Sequence, residues 1–117
     1  MRQALVAFGG AGESLDGAVA RAVAEQDAGR AEMLNQALIQ IERAFLSSDG
    51  LPARPWFRHL LYAPGLTTGY GAWPFPELAE AVESRDQKLA DRGVERLTGV
   101  LAEATRRLDA AAALVAE

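Results

Sequence analysis

The stretch RHLLYAPGLTTGYGAWPFPEL, residues 58–78, lies between Ala-rich segments of helical period and shares neither their composition nor their spacing. It contains the chain's one histidine, His59, and both of its tyrosines, Tyr62 and Tyr70. Because glycine frees the backbone and proline interrupts a helix, this passage predicts an ordered, irregular excursion from a helical fold. Its first residues, RHLLY, are predicted to be extended, either as a lone strand or in an edge pairing.

Upstream of the passage, apolar residues recur at three- and four-residue steps, which predicts two helices. The first has Ser14 as its cap, with Leu15, Val19, Ala22 and Val23 on one face. Residues 1–13 stay open between helix and loose tail, because the run GGAG at residues 9–12 has poor helix propensity. The second helix is predicted from Ala28 to Leu46, capped by Asp27. Its apolar stripe consists of Met33, Leu34, Ala37, Leu38, Ile41, Ala44 and Phe45.

Gly50, Pro52 and Pro55 end the second helix, and Pro76 suits the first turn of a short third helix. Ser84 and Gln87 have the spacing of a capping box for a last helix, predicted from about Asp86 to Ala116. That helix would be about 45 Å long. Its apolar stripe exceeds what so small a domain can cover, which predicts a homodimer. The stripe consists of Leu89, Val94, Leu97, Val100, Leu101, Ala104, Leu108, Ala111, Leu114 and Val115.

Length and composition indicate one domain over residues 1–117, with a thin, Ala-rich core. The net charge of −4, without any basic run, argues against a nucleic-acid partner. Without cysteine, neither disulfides nor thiolate metal sites can form, and the cellular compartment is not indicated. No stretch has the length and hydropathy of a membrane span, so no membrane partner is expected of this chain.

Few residues suggest chemistry of their own. Glu77, Glu80 and Glu83 are spaced along one helix, and without histidines beside them a solvated face is favoured over a metal site.

His59, beside Arg58, is interpreted as a structural histidine bonded to backbone or to a carboxylate rather than as a catalytic one. Trp56 and Tyr62 are predicted to be core residues. For Tyr70, which lies between Gly69 and Gly71, the sequence supports a recognition role and the absence of one equally.

An ordered series of motifs then supports a resemblance. ERAF at residues 42–45, GLPARPWFRH at 50–59, YAP at 62–64, Tyr70, and Phe75 with Pro76 occur in this order within residues 34–78. This run resembles the C-terminal helical domain of the glutamate carboxypeptidase II and transferrin receptor family. The resemblance implies an all-α fold, a four-helix-bundle-like dimerisation domain with one long irregular loop between helices.

The resemblance also implies a function. In that family this domain follows a zinc-peptidase domain and forms much of the homodimer interface, while the irregular passage forms one wall of the substrate pocket. The position matching Tyr70 donates a hydrogen bond to the C-terminal carboxylate of the peptide substrate, and Gly69 and Tyr62 fall in the same pocket loop. This chain would then be no enzyme by itself. Zinc and catalysis would belong to the peptidase domain of a longer parent protein, which becomes a second partner beside the chain itself.

One position departs from the glutamate-specific members. They have a lysine immediately before the tyrosine, where this chain has Gly69. The parent is therefore expected to have a different or broader specificity. The alternatives are an interaction module of a non-catalytic, receptor-like relative, and a freestanding Ala-rich bundle unrelated to the family.

Overall fold

A computed structural model describes residues 1–67 and 69–116, and the chain divides into two compact units. The first unit comprises Met1–Ala44 together with the chain from Val100 onward, and the second comprises Phe45–Gly99. Across the described residues there are four α-helices and one two-stranded sheet. The predicted helical, bundle-like fold class is thereby confirmed.

The elements follow one another in a simple order along the chain. They are α1 (Arg2–Ala24), α2 (Ala28–Glu42) with a 3₁₀ turn (Arg43–Phe45), β1 (Tyr62–Pro64), β2 (Ala72–Pro74), α3 (Pro76–Ser84) and α4 (Gln87–Ala113). Among the helices described, none is long and apolar enough to cross a membrane.

Helix α1 begins far earlier than the predicted cap. Ser14 lies inside the helix, so its assignment as a cap was wrong, and the open question about residues 1–13 resolves as helix from Arg2. The physical reason is packing. Ala11, Leu15, Ala18 and Ala22 recur at steps of four, three and four, and all are buried. Burial of this face outweighs the poor propensity of the glycine run, since tertiary packing provides most helix stability in proteins.

The core of the first unit joins α1, α2 and the second half of α4. Its buried members are Ala11, Leu15, Ala18, Ala22, Leu34, Ile41, Leu108, Ala111 and Val115. Most of the α4 stripe is buried within the chain, so the prediction that it exceeds what this domain can cover was wrong. Leu114 is 43% exposed, and Val94 in the second unit is 38% exposed. Two residues assigned to the stripe of α2, Met33 and Leu38, are 48% and 40% exposed.

The caps show which local signals were sufficient. Asp27 caps α2 as predicted, because its side chain accepts a hydrogen bond from the backbone N–H of Arg30 at 3.1 Å. Pro76 lies in the first turn of α3, also as predicted. The second helix, however, ends at Glu42 and continues only as the 3₁₀ turn, short of Leu46.

The predicted capping box of the last helix was wrong. Arg85 takes a left-handed conformation that ends α3, so Ser84 remains in α3 and its hydroxyl donates to the carbonyl of Glu80 at 2.7 Å. Asp86 caps α4 instead, since its carboxylate accepts from the N–H of Leu89 at 3.0 Å. A cap must immediately precede its helix, and Asp86 occupies that position.

In the second unit, the chain after the 3₁₀ turn folds back on itself. Ser47 N–H donates to the carbonyl of Arg58 at 2.9 Å, and Leu60 N–H donates to that of Phe45 at 2.9 Å. Between these bonds Leu46 pairs with His59 in an isolated antiparallel bridge. Of the two alternatives for RHLLY, the structure therefore has the pairing.

The turn that lets residues 45–60 fold back on themselves depends on Gly50. Its φ of +69° lies in the left-handed region, and a Cβ built there would be 2.1 Å from the carbonyl oxygen of Pro55. Only glycine fits, because the neighbouring atom is backbone and cannot move aside cheaply.

Gly50→Ala should therefore lower the free energy of unfolding by about 2 kcal/mol or more, from left-handed strain and the overlap with Pro55. Gly99→Ala is the matched control, because a Cβ there meets nothing within 4 Å and the residue lies in α4. That change should stabilise by about 0.5–1 kcal/mol. Urea denaturation followed by circular dichroism measures both. Equal stability of the two variants would contradict this account of the turn.

Candidate functional site

The irregular passage is organised around a β-hairpin. Strands β1 and β2 pair antiparallel, with Ala63 opposite Trp73 and Pro64 opposite Ala72. We call residues 65–71 the hairpin loop. Thr68 lies outside the described residues. In the loop Tyr70 is fully exposed, and Gly69 has φ +63° with open space where a Cβ would stand.

Two aromatic residues assigned to the core lie at the surface. Tyr62 is 59% exposed and Trp56 is 71% exposed, so that prediction was wrong. In β1 the buried residue is Ala63, and side chains alternate between the two faces of a strand, which turns Tyr62 outward. Tyr62 thus lies at the start of the strand that leads into the hairpin loop.

Arg58 and His59 lie where the folded-back segment meets β1. The Arg58 side chain is exposed, and His59 is half-buried. Nδ1 of His59 accepts a hydrogen bond from the N–H of Leu61 at 3.2 Å. The His59 ring centroid is 6.1 Å from that of Phe45 and 6.2 Å from that of Tyr62. This geometry ties the imidazole to backbone and to neighbouring rings.

The acidic residues of α3 do not form the solvated face that the sequence favoured. Glu77 and Glu80 are each only 5% exposed, and Glu83 is exposed. The prediction failed because each buried carboxylate has an arginine partner from elsewhere in the chain. Glu80 pairs with Arg54, and Glu77 pairs with Arg96 at 3.1 Å.

Arg54 is the most enclosed charged residue of the site, with 3% exposure. Its Nη2 donates to the Glu80 carboxylate, and its Nη1 donates to the carbonyl of Pro64, the last residue of β1. The guanidinium also lies over the Phe57 ring, 5.5 Å from its centroid. Its Nε is buried and finds no hydrogen-bond partner within the described chain. One side chain therefore links the folded-back segment, the hairpin and α3.

Arg96 performs a related task from α4. Besides its pair with Glu77, its Nη2 donates to the hydroxyl of Ser47 and to the carbonyl of Gly50, both at 2.9 Å. Neither arginine has a local signal in the sequence, because the partners are separated by 10 to 49 residues. The only available hint was an arginine between prolines, ahead of a helix with acidic residues.

A cleft of about 440 Å³ opens beside the hairpin loop. It is lined by Ala53, Arg54, Trp56, Phe57, Pro64, Gly65, Leu66 and Gly69. The guanidinium of Arg54 is already engaged by Glu80 and Pro64, so the remaining lining is aromatic and aliphatic. The cleft suits an apolar group better than a charged one.

Comparison with known protein families identifies the fold. The family model described as the transferrin receptor-like dimerisation domain matches residues 1–109. The chain belongs to this family. The match covers nearly the whole chain, including both ion pairs and the hairpin loop.

Three relatives of this dimerisation domain illustrate its context. It is 38% identical over 68 residues to a probable glutamate carboxypeptidase from Arthroderma benhamiae, a match that covers 58% of this chain. It is 41% identical over 51 residues, 44% of the chain, to a probable glutamate carboxypeptidase from Arabidopsis thaliana. It is 35% identical over 66 residues, 56% of the chain, to an inactive zinc metalloprotease from Schizosaccharomyces pombe. These matches cover 8–9% of the relatives' own length.

A metal site is not apparent in the part of the dimerisation domain that the structure describes, where His, Asp and Glu residues form no group of three or more. The described residues place the phenolic hydroxyl of Tyr70 at the surface of the hairpin loop, and a largely apolar cleft lies beside that loop.

Glu77→Gln should lower the free energy of unfolding by about 1–3 kcal/mol, because it removes the buried partner charge of Arg96. Glu83→Gln, on the exposed side of the same helix, should change it by less than about 0.5 kcal/mol. Thermal and urea denaturation of both variants provide the comparison. If the two substitutions cost the same, the buried pair does not stabilise the unit.

Proposed function

We propose that this dimerisation domain assembles a homodimer and supplies the hairpin loop as one wall of the substrate pocket of a zinc-dependent exopeptidase resembling glutamate carboxypeptidase. The zinc would be bound by the peptidase domain of the full-length protein. The observation that carries the proposal is Tyr70, fully exposed on a loop whose base is fixed by the buried Arg54.

The exposure of Tyr70 supports a role in contacts. A tyrosine hydroxyl in solvent gains nothing for the fold, whereas in a closed pocket it can donate to a carboxylate. Such a charge-assisted hydrogen bond contributes about 1.5–3 kcal/mol. The C-terminal carboxylate of a peptide is the acceptor we propose, with Tyr62 and Gly69 contributing to the same wall.

Gly69 bears on which peptides the pocket accepts. Its position offers no cation for an acidic side chain, and it borders the apolar cleft beside Trp56 and Leu66. We therefore propose that the enzyme does not favour peptides ending in glutamate. A pocket without a compensating charge binds an acidic side chain poorly, because the carboxylate must lose its water.

In the full-length protein, Tyr70→Phe should raise KM by about 10- to 100-fold, the equivalent of the lost hydrogen bond. Because the hydroxyl is exposed, the melting temperature should not change. Steady-state hydrolysis of peptides ending in glutamate and in leucine measures KM, and thermal denaturation measures the melting temperature. The unaltered protein should cleave the peptide ending in leucine at least as efficiently as the peptide ending in glutamate.

Val82→Ala is the matched control, since it trims another exposed side chain of the same unit, 77% exposed on α3. It should leave KM unchanged. A KM for Tyr70→Phe equal to that of the unaltered protein would reject the carboxylate contact. A strong preference for glutamate would reject the inference from Gly69.

Self-association of the domain is supported by its family, and the exposed apolar residues of the first unit suggest where it occurs. Leu5 and Val23 are 41% and 68% exposed. They lie eighteen residues apart, about five helical turns, and therefore share one face of α1. We propose that this face contributes to the homodimer interface.

The chain should have a dimeric mass in multi-angle light scattering across a concentration series. The double variant Leu5→Glu with Val23→Glu should be monomeric and still helical, because buried carboxylates would oppose each other at the interface. Val82→Glu, a charge at an exposed apolar site of the second unit, should remain dimeric. A monomeric unaltered chain, or a dimer that survives the double substitution, would count against this interface.

A second candidate function is an interaction module in a non-catalytic protein. The observation that favours it is the similarity to the inactive zinc metalloprotease of Schizosaccharomyces pombe. Zinc content and peptide hydrolysis of the full-length protein separate the two candidates. A protein that binds no zinc and cleaves no peptide, yet dimerises, would fit the second.

A further inference from the structure

One side chain connects the hairpin loop to the helical part of its unit. Arg54 donates to the carbonyl of Pro64, and Pro64 is the last residue of β1 before the loop begins. Opposite Pro64 in the pairing is Ala72, the first residue of β2 after the loop. The arginine thus holds the closing pair of the hairpin, two residues from Tyr70.

The second terminal nitrogen of the Arg54 guanidinium binds helix α3. Nη2 of Arg54 donates to Glu80 on α3, and α3 packs against both strands of the hairpin. The flat face of the group lies over Phe57. An arginine presents its donors in a rigid plane, so these three contacts fix the position of the Pro64 carbonyl relative to α3.

Stability alone is a poor reason for this arrangement. Both charges are almost fully buried, with side-chain exposures of 4% for Arg54 and 6% for Glu80, and Nε of Arg54 lacks a partner within the described residues. A buried ion pair often stabilises no more than apolar residues of similar volume. Unlike an apolar substitute, the ion pair fixes the orientation of the Arg54 guanidinium and so the position of the Pro64 carbonyl.

We propose that Arg54, held by Glu80, is a positioning residue. It sets the position and orientation of the hairpin loop relative to α3 and so places the Tyr70 hydroxyl. The inference rests on the proposed function of Tyr70, and it concerns how that hydroxyl reaches its substrate. Arg54 itself touches no substrate in this proposal.

The chain offers a matched control in its other ion pair. Arg96 pairs with Glu77 in the same unit and donates to Ser47 and Gly50, and none of these residues belongs to the hairpin. Removing Arg96 should destabilise the unit without moving the loop. Removing Arg54 should destabilise the unit and also move the hairpin loop.

The first measurement is hydrogen exchange of this chain followed by mass spectrometry. Arg54→Met should speed exchange in peptides spanning residues 62–74 at least tenfold, whereas Arg96→Met should leave those peptides within twofold of the unaltered chain. If Arg54→Met does not fold, Arg54→Lys replaces it, since one ammonium keeps the charge but lacks the rigid fork. Equal exchange in the Arg54 and Arg96 variants would overturn the positioning role.

The second measurement is steady-state kinetics of the full-length protein. Arg54→Met should raise KM at least tenfold with little change in kcat, and Arg96→Met should leave KM within twofold. In a Tyr70→Phe background the effect of Arg54→Met on KM should largely vanish, because the loop then has no hydroxyl to place. Full additivity of the two substitutions would overturn the proposal. If Tyr70→Phe alone changes nothing, the proposed substrate contact fails, while hydrogen exchange still decides the role of Arg54.

Discussion

The buried contact between Arg54 and Glu80 is the constraint on which the second unit depends. It joins a proline-punctuated segment to a helix 26 residues further along the chain, and through Pro64 it holds the end of β1. Removing one partner of such a pair leaves a charge without compensation in a nonpolar environment, at a cost of about 3–5 kcal/mol. The ion pair thus holds the irregular passage together with buried apolar side chains of the same unit, among them Leu51, Leu60 and Ala63. Arg96 holds the segment that precedes this passage, through the carbonyl of Gly50.

Local signals predicted local features well. Asp27 and Pro76 act at single helix ends, where the preceding or following few residues determine the outcome. The glycines, prolines and aromatic residues of residues 58–78 predict an irregular excursion, and the structure has a two-stranded hairpin there. Where a neighbouring turn mattered, local spacing was insufficient: the left-handed Arg85 shifted the cap of α4 from Ser84 to Asp86.

Features that depend on distant partners could not be predicted from spacing. Glu77 and Glu80 have the sequence pattern of an exposed helix face, and only arginines far along the chain make their burial possible. Tyr62 and Trp56 are large and aromatic, which favours burial in general, but the strand alternation and the turn place them outside. Of the candidate site, the sequence therefore predicts the irregular passage that contains Tyr70, and it does not predict the ion pairs of Arg54 and Arg96.

The chain belongs to the dimerisation family and divides into two units, and each unit has one surface that bears on function. The first unit exposes apolar residues of α1, which suit a second copy, and the second unit presents the hairpin loop. The proposed function assigns self-association to the first surface and contact with a substrate to the second. Its named relatives include probable glutamate carboxypeptidases and an inactive zinc metalloprotease.

The central claim is that the hairpin loop brings Tyr70 to the carboxylate of a bound peptide. A crystal structure of the full-length protein with an amino-acid product bound tests it most directly. We expect the Tyr70 hydroxyl within about 3 Å of a product carboxylate oxygen, with Arg54 still bonded to Pro64 and Glu80. A product bound elsewhere, with Tyr70 facing solvent, would contradict it.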